Sequence, residues 1–146
     1  MTDENRKNMS AYRIEQAKEC LITAEATVDI SLKTAANRSY YCIFHSMRAV
    51  LAIDGFDSKK HSGVISYFRL NYIKSGKFDE SFSDIIGNAF SIRNNSDYVD
   101  FFILQKGDVT TQIANAKRLL GAVEDYINSL YEEISKEDRH TYNESD

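Results

Sequence analysis

The 146-residue sequence contains no proline, no tryptophan and only six glycines, so few residues interrupt helices or form tight turns. This composition argues against a sandwich or barrel of many strands and favours helices. The two cysteines, Cys20 and Cys42, have neither the spacing of a metal site nor that of a redox pair, which is typical of buried thiols in a reduced protein. No metal and no cofactor are therefore predicted.

Excess positive charge and long apolar runs are also missing. The formal net charge is −4, from 22 acidic and 18 basic side chains, which excludes a broad cationic surface for nonspecific nucleic-acid binding. No apolar run approaches the roughly 18 residues of a membrane span, and the polar N-terminus does not resemble a signal peptide. We therefore expect a soluble cytoplasmic protein with no membrane contact.

Apolar residues recur at helical spacing through most of the chain. The predicted helices begin near residues 9, 33, 62, 79 and 108. Ser62 and Asp108 are the predicted N-caps of the third and the last helix. Residues 98–104 are expected to form an extended connector that packs on the helices.

Five amphipathic helices joined by short links predict an all-α fold, an antiparallel up-and-down helical bundle. The length suits one domain. We place this bundle at residues 9–134. Residues 1–8 are expected to form a flexible N-terminus, and the charged, aperiodic residues 135–146 a flexible C-terminal tail.

The second predicted helix has a polar side opposite its apolar face. Four side chains fall within about 80° of one another on a helical wheel: Arg38, Tyr41, His45 and Arg48. Small neighbours such as Cys42 would let another helix approach closely on this side. The strip is interpreted either as a solvated face or as one wall of a binding groove.

The fourth predicted helix places two charges where its pattern requires apolar side chains. Arg93 lies about 20° from Phe82 on the helical wheel, and Asp97 follows at about 60°. An unpaired charge in a dry site is costly, so the two should pair with each other or with the second helix, or face a wet groove. A structural ion pair and a functional groove both remain open.

His61 precedes the third predicted helix in the segment Lys59-Lys60-His61-Ser62-Gly63. A small basic spot at a helix N-terminus can receive a phosphate. The alternative is an exposed loop that ends in a capping turn.

Three segments around these residues occur in a characteristic order: Arg38-Ser39-Tyr40-Tyr41-Cys42-Ile43-Phe44-His45, Lys60-His61-Ser62-Gly63-Val64-Ile65 and Arg93-Asn94-Asn95-Ser96-Asp97-Tyr98. Together they resemble the HEPN domain family, in particular its small stand-alone bacterial and archaeal branch, over about residues 9–134. The resemblance implies an all-α bundle that commonly dimerises, with a polar groove between or beside the protomers. It also implies that the gene is often paired with a minimal nucleotidyltransferase as a toxin-antitoxin system.

The resemblance further implies a chemistry, because many of these proteins are metal-independent endoribonucleases with an Arg followed after four to six residues by a His. Such an Arg stabilises charge on the phosphorane, and the His assists proton transfer. Here that spacing after Arg93 leads to Tyr98, Val99 or Asp100, and no His occurs between residues 62 and 139. His45 is therefore the candidate imidazole.

The preferred hypothesis is a HEPN-like homodimer with a degenerate catalytic motif that binds a nucleotide, an RNA or a nucleotidyltransferase partner. Its groove is formed around Arg93 by four further residues: Arg38, Tyr41, Arg48 and His61.

Two alternatives use the same residues differently. The first is an endoribonuclease toxin in which Arg93 acts with His45, Asp97 or Tyr98. The second is a non-catalytic helical adaptor in which Arg93 and Asp97 only close the bundle.

Overall fold

The structure, a computed structural model, describes residues 2–144, and it describes side chains as far as residue 137. This part of the chain forms five α-helices and no strand: α1 (Asp3–Thr27), α2 (Leu32–Ile53), α3 (His61–Phe68), α4 (Ser81–Tyr98) and α5 (Lys106–Glu144). A π-helical turn, Arg69–Ile73, continues α3. The predicted all-α bundle is confirmed. Over the same residues, every helix is too short or too polar to cross a membrane.

The central helix is α2, because its neighbours bury 13 of its 22 residues. Helices α1 and α5 pack along it, and α3 and α4 contact the remaining side. Cys42, predicted to lie beside the polar strip, is fully buried, and its Sγ lies 3.9 Å from the Ala116 carbonyl oxygen of α5. The small residues on this side therefore do admit another helix, and that helix belongs to the same chain.

Helix α1 begins six residues before its predicted start. Thr2 caps it, since its Oγ1 accepts a hydrogen bond from the backbone N of Asn5 at 3.1 Å. Arg6 packs against Gly55, where an added Cβ would lie 3.0 Å from the guanidinium. The local apolar pattern cannot show this contact, because it joins residues that are distant in sequence.

Two predicted helix caps are wrong. Helix α3 begins at His61 with Lys60 as its N-cap, so Ser62 lies inside the first turn. Helix α5 begins at Lys106, and Asp108 lies in its first turn, where a carboxylate interacts favourably with the helix dipole. Ser and Asp are common at several positions of a first turn, so the residue type alone does not fix the boundary.

The connector after α4 packs on the bundle only in part. Val99 is extended, with φ −100° and ψ 119°, and Leu104 packs against the buried cluster that includes Ala35 and Val109. Phe101 instead has a left-handed φ of 61° and is 98% exposed. The prediction for residues 98–104 was therefore wrong for much of the segment: Tyr98 belongs to α4, and Val99, Phe101 and Ile103 are exposed.

At the C-terminal end, residues 135–144 continue α5 as helix. Residues 145–146 of the predicted tail lie outside the described part of the chain, as does Met1. The flexibility of both ends stays a prediction.

Candidate functional site

Tyr40 brings together residues from three helices. Its side chain is fully buried in α2, and its hydroxyl lies 2.7 Å from Nδ1 of His61, the first residue of α3. The Cζ atom of Arg93, in α4, lies 5.4 Å from the centre of the Tyr40 ring. Together with Arg38 and Tyr41, these three residues are called the Arg93 site below.

The neighbouring Tyr41 contacts two guanidinium groups. The Cζ atom of Arg38 lies 5.2 Å from the centre of its ring, and that of Arg93 lies 5.5 Å from it. The negative face of an aromatic ring attracts cations, so both guanidinium groups are drawn to the ring of Tyr41. Arg38 donates to Oδ1 of Asn37 at 2.7 and 3.0 Å, but this neutral amide does not compensate its charge.

Arg93 has a loose ionic partner one turn along α4, which continues through Asp97. Nε of Arg93 lies 3.6 Å from Oδ2 of Asp97, beyond hydrogen-bond distance. This Nε is buried and has no hydrogen-bond partner among the residues described. Tyr98, the last residue of α4, is 76% exposed. A ligand cannot reach the buried Nε, but the Arg93 side chain is 18% exposed and no described residue forms a hydrogen bond with its Nη atoms, which therefore remain available to a ligand.

The half-buried His61 ring stacks on Phe44, with the ring centres 4.2 Å apart. Burial raises the pKa of Tyr40, so its hydroxyl keeps its proton, and Nδ1 of His61 is its one hydrogen-bond partner among the described residues, which we assign as the acceptor. We therefore assign the proton of the neutral His61 ring to Nε2. Burial, followed by the charges of Arg93 and Arg48, lowers the pKa of His61, so the ring is neutral near pH 7.

His45 has a different environment on the polar strip. It is half-buried, its ring lies 5.9 Å from those of Tyr41 and Phe44, and its Nδ1 is buried without a hydrogen-bond partner among the described residues. Burial lowers its pKa to about 4. The charges that add to this effect belong, in order, to Arg48, Arg13, Arg38 and His61.

Arg93 is linked more closely with His61 than with His45. Both imidazoles lie 5.9 Å from the ring of Tyr41, which Arg93 also contacts. Only His61 is also hydrogen-bonded to Tyr40, the second ring that Arg93 contacts, and burial, followed by the charge of Arg93, lowers the pKa of His61. The imidazole coupled more closely to Arg93 is thus the one predicted for ligand binding, not the one predicted for catalysis.

Arg48 is the predicted groove residue that has a close ionic partner. Its Nη2 lies 3.1 Å from Oδ2 of Asp57, in the loop before α3. Asp57 also pairs with Arg13, so it offsets the charge of Arg48 only in part. Arg38 and Arg93 have no ion pair this close among the described residues and are the more available charges for a ligand.

Tyr40 was not among the predicted site residues, so its hydroxyl was missed. The ring does lie in the core, and only the hydroxyl reaches the site, as is common for an amphipathic phenol. A tyrosine rather than a phenylalanine at a core position was the available signal. Asp57 gave no signal, because its partners Arg13 and Arg48 lie 44 and 9 residues away in the chain.

The site thus combines two guanidinium groups and one neutral imidazole N–H, a donor set that suits a phosphate group. No trio of His, Cys, Asp or Glu side chains is placed to hold a metal ion in the part of the chain with described side chains.

Comparison with known proteins agrees with this architecture. The family model described as "HEPN domain" matches residues 10–126. A protein of Thermotoga maritima named "UPF0332 protein" is 30% identical over 129 residues, which cover 88% of this chain and 97% of that protein. A protein of Methanocaldococcus jannaschii named "Putative toxin" is 37% identical over 86 residues, or 58% of this chain and 64% of that one. The chain belongs to the HEPN domain family.

Proposed function

We propose that this protein binds the phosphate of an RNA or nucleotide at the Arg93 site. The observation that carries the proposal is the pair of guanidinium groups, Arg38 and Arg93, that share the Tyr41 ring. Two positive charges at one ring make the local potential positive, which favours an anion, and the loose contact of Arg93 with Asp97 at 3.6 Å offsets that charge only in part.

The geometry favours binding over catalysis. With the Tyr40 hydroxyl donating to Nδ1, the neutral His61 ring presents Nε2–H, which is a hydrogen-bond donor and not a base. Its lowered pKa also disfavours the imidazolium that a general acid requires near pH 7. His61 therefore completes a phosphate site better than it transfers protons.

A titration tests this proposal. Fluorescein-labelled decauridylate, and in a second series AMP, is added to the full chain in the presence of a chelator. Arg93→Gln should weaken RNA binding about tenfold or more, because it removes charged hydrogen bonds to phosphate. Arg118→Gln is the matched control, since this guanidinium also lies over a ring, 4.6 Å from that of Phe82, but outside the site.

Two results would count against phosphate binding. Equal RNA affinity of the wild type and of a folded Arg93→Gln variant would contradict it. A wild type that binds neither probe, together with an Arg93→Gln variant that unfolds, would support the helical adaptor instead.

A second candidate function is metal-independent RNA cleavage, favoured by the contacts of both Arg93 and His61 with Tyr40. Cleavage in chelator that is lost in Arg93→Gln and His61→Gln but kept in His45→Gln would support this pair. If cleavage is instead lost in His45→Gln and retained in His61→Gln, the result would support the pair predicted from sequence, Arg93 and His45. A wild type that binds RNA without cleaving it would contradict the cleavage function and support RNA binding alone.

We further infer that the protein is a cytoplasmic homodimer and one component of a toxin-antitoxin-type pair with a minimal nucleotidyltransferase. The sequence resemblance and the relatives named as toxins support this inference. Light scattering tests the dimer. Co-purification with the product of an adjacent nucleotidyltransferase gene tests the pair, and separate elution of the two purified proteins would contradict it.

A further inference from the structure

The loop between α2 and α3 is anchored by one carboxylate. Oδ2 of Asp57 lies 3.2 Å from Nη2 of Arg13 and 3.1 Å from Nη2 of Arg48. The Arg13 side chain, in α1, is only 8% exposed, and its Nη1 donates to the Arg48 carbonyl oxygen at 3.1 Å. A single acidic side chain therefore ties the loop to two helices.

Close contacts continue from this anchor to the first turn of α3. Oδ1 of Asp57 accepts from the backbone N of Ser58 at 2.8 Å, and Oγ of Ser58 accepts from the backbone N of Lys60 at 3.2 Å. An added Cβ at Gly63 would lie 2.4 Å from the Ser58 Oγ, so only glycine permits this approach. His61 lies between Lys60 and Gly63, within the segment that these contacts hold.

The charge of Asp57 is also required locally. Within the described part of the chain, Asp57 is the one carboxylate that pairs with Arg13 or Arg48. Its loss would leave a buried guanidinium without a counter-charge, which is unfavourable unless the loop rearranges. The loop, and with it His61, should therefore move when this carboxylate is neutralised.

We propose that Asp57 is the positioning residue of the Arg93 site: by joining Arg13 to Arg48, it fixes the loop that places His61 against Tyr40. The consequence for ligand affinity rests on the proposed function. The placement of His61 does not, because it is measurable in the free protein.

Imidazole ¹⁵N NMR of the full chain measures this placement directly. The signal of His61 Nδ1 depends on the hydrogen bond from Tyr40, and Tyr40→Phe supplies the reference without that bond. Asp57→Asn should shift the His61 signal toward this reference, whereas Asp57→Glu should largely retain the wild-type signal. Asp29→Asn is the matched control, since it removes an exposed ion pair with Lys106. A folded Asp57→Asn variant with the wild-type His61 signal would overturn the proposal.

If Asp57→Asn does not fold, Ser58→Ala tests the positioning role of Asp57 instead. This variant breaks the link between Asp57 and the first turn of α3 and leaves Arg13 and Arg48 paired. It should shift the His61 signal part of the way toward the Tyr40→Phe reference. An unchanged signal in this variant would overturn the positioning role.

RNA binding separates this proposal from the proposed function. Asp57→Asn should bind labelled decauridylate about tenfold more weakly, because a displaced His61 loses a hydrogen bond to phosphate. A shifted His61 signal with wild-type RNA affinity would support the positioning role and contradict the role of His61 in binding. Weakened affinity with an unchanged signal would overturn the positioning role and leave the binding site intact.

Discussion

The hydroxyl of Tyr40 and Nδ1 of His61 lie 2.7 Å apart, and this hydrogen bond connects the buried centre of α2 with the first residue of α3. It fixes the orientation of the imidazole and determines which ring nitrogen carries the proton. Arg93 lies over the same tyrosine ring, and burial, followed by the charge of Arg93, lowers the pKa of His61. The phosphate-binding role proposed for the site depends on this arrangement.

Replacing Tyr40 by phenylalanine should remove that hydrogen bond and keep the buried ring. We expect the free energy of unfolding to fall by about 1 kcal/mol, the usual net contribution of such a bond. Urea unfolding measures the change, and Tyr12→Phe, at a side chain that is 61% exposed, is the control with no expected effect. A Tyr40→Phe variant as stable as the wild type would show that the bond contributes nothing to the fold.

The burial of His45 predicts a pH dependence of stability. Its pKa is about 4 in the folded protein and near 6.5 in the unfolded chain, so unfolding takes up a proton between these values. Its stabilising contribution is fully present above about pH 6.5 and is lost as the pH falls toward 4. Between pH 7 and pH 5 the loss should amount to about 2 kcal/mol.

Denaturant unfolding of the wild type and of His45→Gln at pH 7 and pH 5 tests this expectation. The difference in free energy of unfolding between the two proteins should change by about 2 kcal/mol from pH 7 to pH 5, because the substitution removes the titrating group. If both proteins lose the same stability between the two pH values, the assignment to His45 is wrong.

Asp97→Asn should strengthen RNA binding. Within the residues whose side chains are described, it removes the one carboxylate that pairs with Arg93, yet the contact is loose at 3.6 Å, so the expected gain is only about twofold. The fluorescence titration described above measures it, with Asp100→Asn as a control for the loss of one negative charge nearby. A weaker-binding Asp97→Asn variant would mean that this carboxylate orients Arg93 for the ligand.

Phe101→Gly should stabilise the fold by up to about 1 kcal/mol. The left-handed φ of 61° is unfavourable for phenylalanine and natural for glycine, and a side chain that is 98% exposed has few contacts to lose. The greater flexibility of glycine in the unfolded chain offsets part of this gain. Thermal unfolding measures the change. Ile103→Gly, at another exposed connector residue without a positive φ, is the control and should destabilise the fold in the same experiment.

The sequence predicts the helices well because their apolar periodicity is local. It also identifies Arg93 and Asp97, since two charges on an apolar stripe are visible within one helix. Contacts between helices are not visible in this way: the bond from Tyr40 to His61 spans 21 residues, and that from Arg13 to Asp57 spans 44. The candidate residues could thus be predicted one by one, whereas their grouping required the three-dimensional structure.

The salt dependence of RNA binding tests the phosphate site most directly. Each arginine that contacts a phosphate of single-stranded RNA contributes about 0.7 to the slope of log affinity against log salt concentration. We predict that Arg93→Gln and Arg38→Gln each reduce the slope by about this amount, that the double variant reduces it by about 1.4, and that Arg118→Gln leaves it unchanged. Wild-type slopes and affinities in both single variants would contradict a phosphate site at Arg93 and Arg38.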